Sequence, residues 1–160
     1  MPEGLQLDEN RRFQERFWQA ERWAWGFFAL IVMAGLLGLT GAGGPFARSQ
    51  ASAGASQIDY PRVARWQAAD RITISFAPHA ATERKLLLSR RFRELISLQD
   101  AQPHPVRWES TAAGEELTFL VRPNEAASAT LRIKPEAAGM IESIVSVDGI
   151  AANTVILVLP

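Results

Sequence analysis

The 160-residue chain has no cysteine, one tyrosine and two histidines, and its 17 basic and 17 acidic side chains leave no net charge. Without cysteine there are no disulfides, thiolate metal sites, cysteine nucleophiles or lipid-modified cysteine. Without an excess of positive charge there is no electrostatic reason to expect nucleic acid as a partner. No internal repeat is visible. The mean hydropathy of −0.03 resembles that of an ordinary globular protein, but it averages two unlike parts. Residues 23–47 contain no Asp, Glu, Lys, Arg or His, whereas residues 58–160 are richly charged.

The charge-free run is apolar on every helical face, without the polar stripe of a helix packed on a soluble core. Counted as residues 23–44 it makes about 33 Å of helix, which matches a hydrocarbon layer of about 30 Å. Phe27, Phe28, Leu30, Ile31, Val32, Leu36, Leu37 and Leu39 each favour insertion by about 0.3–0.6 kcal/mol. The run is therefore expected to span a membrane once. Arg11, Arg12, Arg16 and Arg22 precede it and only Arg48 follows closely, so the N-terminus is expected inside and the larger part outside the cytoplasmic membrane. Trp18, Trp23 and Trp25 fall at the expected inner interface, where amphipathic rings are favoured. Ala51, Ser52 and Ala53 have the small-x-small form of a signal cleavage site. The apolar run is longer than a signal core, however, and lies well before them, so an uncleaved anchor is expected.

Residues 1–22 read as a cytoplasmic amphipathic segment. Asp8 is a candidate N-cap for one helix running from about residue 9 to about residue 40. Residues 45–57, rich in Gly, Ser and Ala, read as a flexible linker. Residues 58–160 read as an extracytoplasmic β-domain. Alternation is clear around Ile72–Phe76, Leu117–Val121, Leu131–Ile133, Ile141–Val147 and Thr154–Leu159, and weaker at Ile58–Tyr60, Lys85–Leu88 and Leu95–Leu98. Asp148 and Gly149 signal a two-residue hairpin turn. Ser89 could cap a short helical turn reaching Leu95. Seven or eight short strands without helix–strand alternation indicate an antiparallel sandwich, with an immunoglobulin-like arrangement as one form.

The chemical inventory is thin. His79 and His104 lie among prolines, no serine sits in a Gly-x-Ser-x-Gly elbow, and neither histidine has metal-ligand spacing to a second ligand. No catalytic, metal or cofactor residue is therefore assigned, and no enzyme activity is expected. Copper carriage would need Cys or Met pairs, but the β-domain has only Met140. Tyr60, Arg62, Arg65 and Trp66 combine the residue types of interface hot spots. A first strand with its rings turned inward and its arginines outside is the simpler reading. Arg84, Lys85, Arg90, Arg91 and Arg93 form a basic run that near a membrane could meet anionic lipid. Ala34, Gly38 and Ala42 lie four apart, the spacing at which a second membrane helix approaches closely.

Residues 7–18 with Arg22 and Trp25, followed by Tyr60, Pro61, Arg62, Val63, Ala64 and Arg65, resemble a group of small bacterial single-pass membrane proteins. These have an extracytoplasmic β-domain and are associated with YetF-like integral membrane proteins. The resemblance covers the anchor and the first strand and carries no activity with it. It implies the inner membrane of a bacterium as location and an integral membrane protein as partner. The combined expectation is an accessory protein whose β-domain binds or scaffolds an envelope partner. A sensor or glycan-binding module with a pocket beside Trp66 or Trp108 is the alternative, and a hydrolase the more distant one.

Overall fold

The computed structural model describes residues 11–37 and 47–160. The first element, α1 (Arg11–Leu36), contains no proline, and its large apolar residues from Phe17 to Leu36 are exposed. No helix among the described residues is long and apolar enough to cross a membrane. Within α1 the charge-free part is residues 23–36; the rest of the expected span, residues 38–44, and the expected cap Asp8 lie outside the described residues.

Eleven strands follow among the described residues, β1 (Arg48–Ala53), β2 (Ser56–Pro61), β3 (Val63–Arg65), β4 (Asp70–Phe76), β5 (Glu83–Ser89), β6 (Ile96–Gln102), β7 (Arg107–Thr111), β8 (Gly114–Leu120), β9 (Ala127–Pro135), β10 (Gly139–Val147) and β11 (Ile150–Leu159), with a short helix α2 (Arg90–Leu95) between β5 and β6. They form a five-stranded sheet ordered β1-β2-β4-β9-β6 and a six-stranded sheet ordered β3-β11-β10-β5-β8-β7. One apolar core lies between them. Ile58, Ile72, Ile74, Leu131 and Ile133 face it from the first sheet, and Leu86, Leu117, Val145 and Ile156 from the second. Each such side chain, fully buried, stabilises the fold by about 1.5–3 kcal/mol. The alternation of period two is what turns these residues to one side.

Three expectations are corrected. The linker assigned to residues 45–57 is largely strand, because Arg48–Ala53 pairs in full register with Ser56–Pro61. The β-domain thus begins near residue 47 and not at 58. The sheets are not wholly antiparallel, since β3 pairs parallel with β11. That pair, and the five- and six-stranded sheets, also separate this strand order from the antiparallel immunoglobulin arrangement. Ser89 caps α2 as expected, its hydroxyl accepting the Phe92 N–H. Asp148 and Gly149 both take positive φ, as a two-residue turn of this kind requires. Gly114 is obligatory for another reason: a Cβ there would lie 1.9 Å from the Leu88 carbonyl oxygen.

A buried arginine closes one end of the sandwich. Arg84, only 5% exposed, donates from Nε to Asp148 at 2.5 Å. Its other nitrogens donate to the Ala77 carbonyl at 2.6 Å and to the Ser56 hydroxyl at 3.1 Å. The guanidinium also lies 5.1 Å from the centre of the Phe76 ring. Three turns from both sheets are thereby fixed to one side chain.

Asp148→Asn keeps the positive-φ turn but leaves this guanidinium without its anion. It should cost about 1.5–3 kcal/mol, the range for a hydrogen bond to a charged group. In an Arg84→Met background the same change should cost much less, because no buried charge is left unpaired. Urea unfolding of the detergent-solubilised chain, followed by tryptophan fluorescence, measures both values.

Candidate functional site

The outer faces of the two sheets differ. On the five-stranded sheet, Gln57, Thr73, Ser75, Thr130 and Arg132 point away from the core, which makes a solvated polar surface. On the six-stranded sheet, β10 and β11 bring Met140 opposite Leu157, Glu142 opposite Val155 and Ile144 opposite Asn153. Met140, Ile144, Val155 and Leu157 are all exposed large apolar residues, and together they form a strip interrupted only by Glu142 and Asn153. Exposed apolar residues are ordinary when scattered, but a contiguous set marks a contact surface.

Beside the strip is a cleft of about 480 Å³ lined by Ser89, Arg91, Glu142, Ile144, Asn153 and Val155 together with Ser143 and Thr154. It exists because β5 and β10 part company. Their ladder stops at Leu88 and Val145, where the chain turns into α2. The Ile144 N–H then donates to the Ser89 hydroxyl at 3.2 Å in place of a strand partner. Ser143 and Thr154 lie at the cleft floor, both buried. Their hydroxyls are 2.8 Å apart, and Thr154 also donates to the Ser143 carbonyl at 3.2 Å.

Farther across the same face, Lys85 Nζ lies 2.9 Å from Glu116 Oε1. The hydrogen bond to Glu116 and its charge raise the Lys85 pKa above its ordinary value.

The residues singled out by sequence fall in different places. Tyr60 is 6% exposed and belongs to the core, so it is removed from the expected interaction surface. Arg62 and Arg65 are exposed. Trp66 is 49% exposed, and its indole N–H donates to the Glu136 carbonyl at 3.2 Å. The expected inward packing therefore holds for Tyr60 but not for Trp66. Ala34, Trp18, Trp23 and Trp25 lie on α1, with the three indoles exposed; Gly38 and Ala42 lie outside the described residues. Neither Trp66 nor Trp108 is in the walls of the clefts formed around Arg91 and Asn153, around His79 and Arg84, or around Asp70 and Arg132.

His79 lies at the wall of a smaller cleft, about 240 Å³, with Ser56, Arg84 and Asp148. The residue types suit a triad, but the bonding does not. Ser56 accepts from Arg84 and from the Ala77 N–H, and Asp148 accepts from Arg84 and the Lys85 N–H. His79 Nδ1 accepts the Ala81 N–H at 3.0 Å. The acid and the hydroxyl are thus engaged by the structural arginine. No group of three or more potential metal ligands occurs among the described residues. No family model matches the chain, and no curated protein matches it in sequence.

The paired hydroxyls of the larger cleft give a direct test. Thr154→Val leaves the Ser143 hydroxyl short of a partner in a buried position and should destabilise by about 1–3 kcal/mol. Adding Ser143→Ala removes the orphan, and the double variant should recover most of that loss. Equilibrium unfolding of the two singles and the double gives the coupling.

Proposed function

We propose that the protein is a non-enzymatic, single-pass accessory protein of the bacterial cytoplasmic membrane. Residues 23–44 cross the bilayer with the N-terminus inside, and the β-sandwich outside binds a partner, foremost another integral membrane protein. The observation that carries the anchor is the uninterrupted absence of charge from residue 23 to residue 47, with arginines concentrated before it. The 14 helical residues 23–36 supply about 21 Å of the roughly 30 Å required, and the sequence remains apolar or small through Gly44. A charge-free segment of this length is costly to leave in water and favourable in lipid.

The binding role is supported by the apolar strip of β10 and β11, on the one outer sheet face that is not uniformly polar. The membrane partner is supported by the spacing of Ala34, Gly38 and Ala42, and the resemblance to proteins associated with YetF-like membrane proteins points the same way. A tether of this kind raises the effective concentration of a partner to the millimolar range without any strong contact. Nothing in the charge balance favours nucleic acid.

A second reading, a module for a small polar ligand such as a glycan, is supported by the cleft between α2, β10 and β11. Its volume of about 480 Å³ lies within the usual range of roughly 300–1,000 Å³ for ligand sites. Arg91, Glu142 and Asn153 supply the polar groups there.

Affinity capture from membranes in mild detergent tests the leading reading. A partner should co-purify with the natural chain. Its recovery should fall several-fold when Ala34 and Gly38 become Ile, or when Val155 and Leu157 become Lys. A failure to recover any protein reproducibly, or equal recovery with both variants, contradicts it.

A further inference from the structure

The sandwich has two distinct ends. At the Arg84 end are the β1–β2 turn, Ala77, His79 and the Asp148 turn, joined as described above. At the other, Arg48 starts β1 opposite Pro61. Its guanidinium pairs with the Asp59 carboxylate and donates to the Arg71 carbonyl at 3.2 Å. Ala47, just before it, accepts the Arg62 N–H at 2.8 Å. Trp66 and Gln67 lie at this end too, their N–H groups donating to Leu159 and Pro135. Met140, opposite Leu157, completes it.

Three features distinguish this end. The first is chain length. Only Pro45 and Phe46 separate Gly44 from Ala47, and even fully extended the three links span about 10 Å. The second is charge. Of the domain's 13 basic residues, Arg62, Arg65, Arg71, Arg91 and Arg132 make no ion pair with a described side chain, while the other eight do. The unpaired five lie toward the Arg48 end. Arg62, Arg65 and Arg71 adjoin Ala47 and Arg48, Arg132 is opposite Arg71, and Arg91 belongs to α2, whose Leu95 carbonyl accepts from Glu136. Among the acids of this end, Asp70 faces Arg48, Glu136 faces Lys134, and Asp100 is opposite Arg132 in the ladder without an ion pair to it. The third is an exposed indole, Trp66 at 49%, with Met140 at 66%; the exposed apolar side chains of the Arg84 end, Leu120 and Ile150, are aliphatic.

We infer that the Arg48 end rests on the outer surface of the bilayer, with Trp66 and Met140 in the interface and the unpaired arginines against phosphates of anionic lipids. The inference deepens the proposed anchoring and rests on it. A tether of about 10 Å leaves that end nowhere else to be, since the Arg84 end lies about 20 Å farther along β4 at the usual rise per residue. Indole rings favour the interface, and each basic residue near an anionic surface contributes to binding. Seated this way, the polar face of the five-stranded sheet and the Arg84 end remain in water.

The absence of cysteine allows single nitroxide labels on the full chain in lipid nanodiscs. Three sites suffice: Ala68→Cys beside Trp66, Ala80→Cys at the Arg84 end, and Val32→Cys in the apolar run. The reading is the ratio of collision with oxygen to collision with a water-soluble nickel chelate. In discs of phosphatidylcholine with phosphatidylglycerol, the ratio at Ala68 should exceed that at Ala80 several-fold. It should fall toward the Ala80 value in phosphatidylcholine alone or with Arg62→Gln and Arg65→Gln. Equal, water-like ratios at Ala68 and Ala80 beside a lipid-like Val32 overturn the seating but not the anchor. Ala68 water-like in discs but protected in native membranes overturns it in favour of a protein partner. A water-like Val32 overturns both.

Discussion

The constraint on which the rest depends is the shortness of the connection between an apolar run and a sheet. A stretch with no charge from residue 23 to residue 47 leads almost at once into backbone already hydrogen-bonded to another strand, at Ala47 and Arg62. With residues 23–44 in the bilayer, as proposed above, about 10 Å of extended chain joins it to the domain. The arginine after the run does double duty in consequence. Arg48 is the first charge past the apolar segment, and it binds β1 to β2 and β4 through Asp59 and the Arg71 carbonyl. Any pull along the chain is therefore spread over three strands.

The two ends of the sandwich are secured by different chemistry. Arg84 is buried and works inside the fold, where its hydrogen bonds and Asp148 compensate the cost of removing a charge from water. Arg48 is about a third exposed and works at the rim, where solvent screens its pairing and its worth is smaller. The outer faces are divided as well. Thr73, Ser75, Thr130 and Arg132 keep one sheet wetted, whereas Met140, Ile144, Val155 and Leu157 leave the other with apolar area to cover.

Much of this was legible in the sequence wherever one face of a strand is buried. β4, β8, β9, β10 and β11 declare themselves through alternation, and the Asp148 turn and the Ser89 cap through local chemistry. The strands that escaped notice are too short or too polar to show an alternating row of buried apolar residues. β7 is exposed at all five positions, so no alternation exists to be read. β1 is built from Arg, Ser, Gln and Ala and imitates a linker; its pairing is dictated by β2 rather than by its own residues. β3 is three residues long, and its parallel partner lies at the far end of the chain. For the candidate site, Arg62 and Arg65 were identifiable as surface residues by type, whereas Trp66, expected to turn inward with Tyr60, is half exposed, because β3 ends at Arg65 just before it. Arg84 looked like one member of a basic run, and its burial became visible only when Asp148, 64 positions away, was placed beside it. The cleft at α2 arises from a ladder that ends early, which no local pattern encodes.

The central claim is that the apolar run crosses a membrane and holds the β-sandwich outside. Single cysteines at Gln6 and at Ser128, an exposed position on β9, report it when intact spheroplasts are treated with a membrane-impermeant maleimide. The account predicts that Ser128→Cys is labelled in intact cells and Gln6→Cys only after lysis. The reverse pattern, or protection of both sites until lysis, would contradict it.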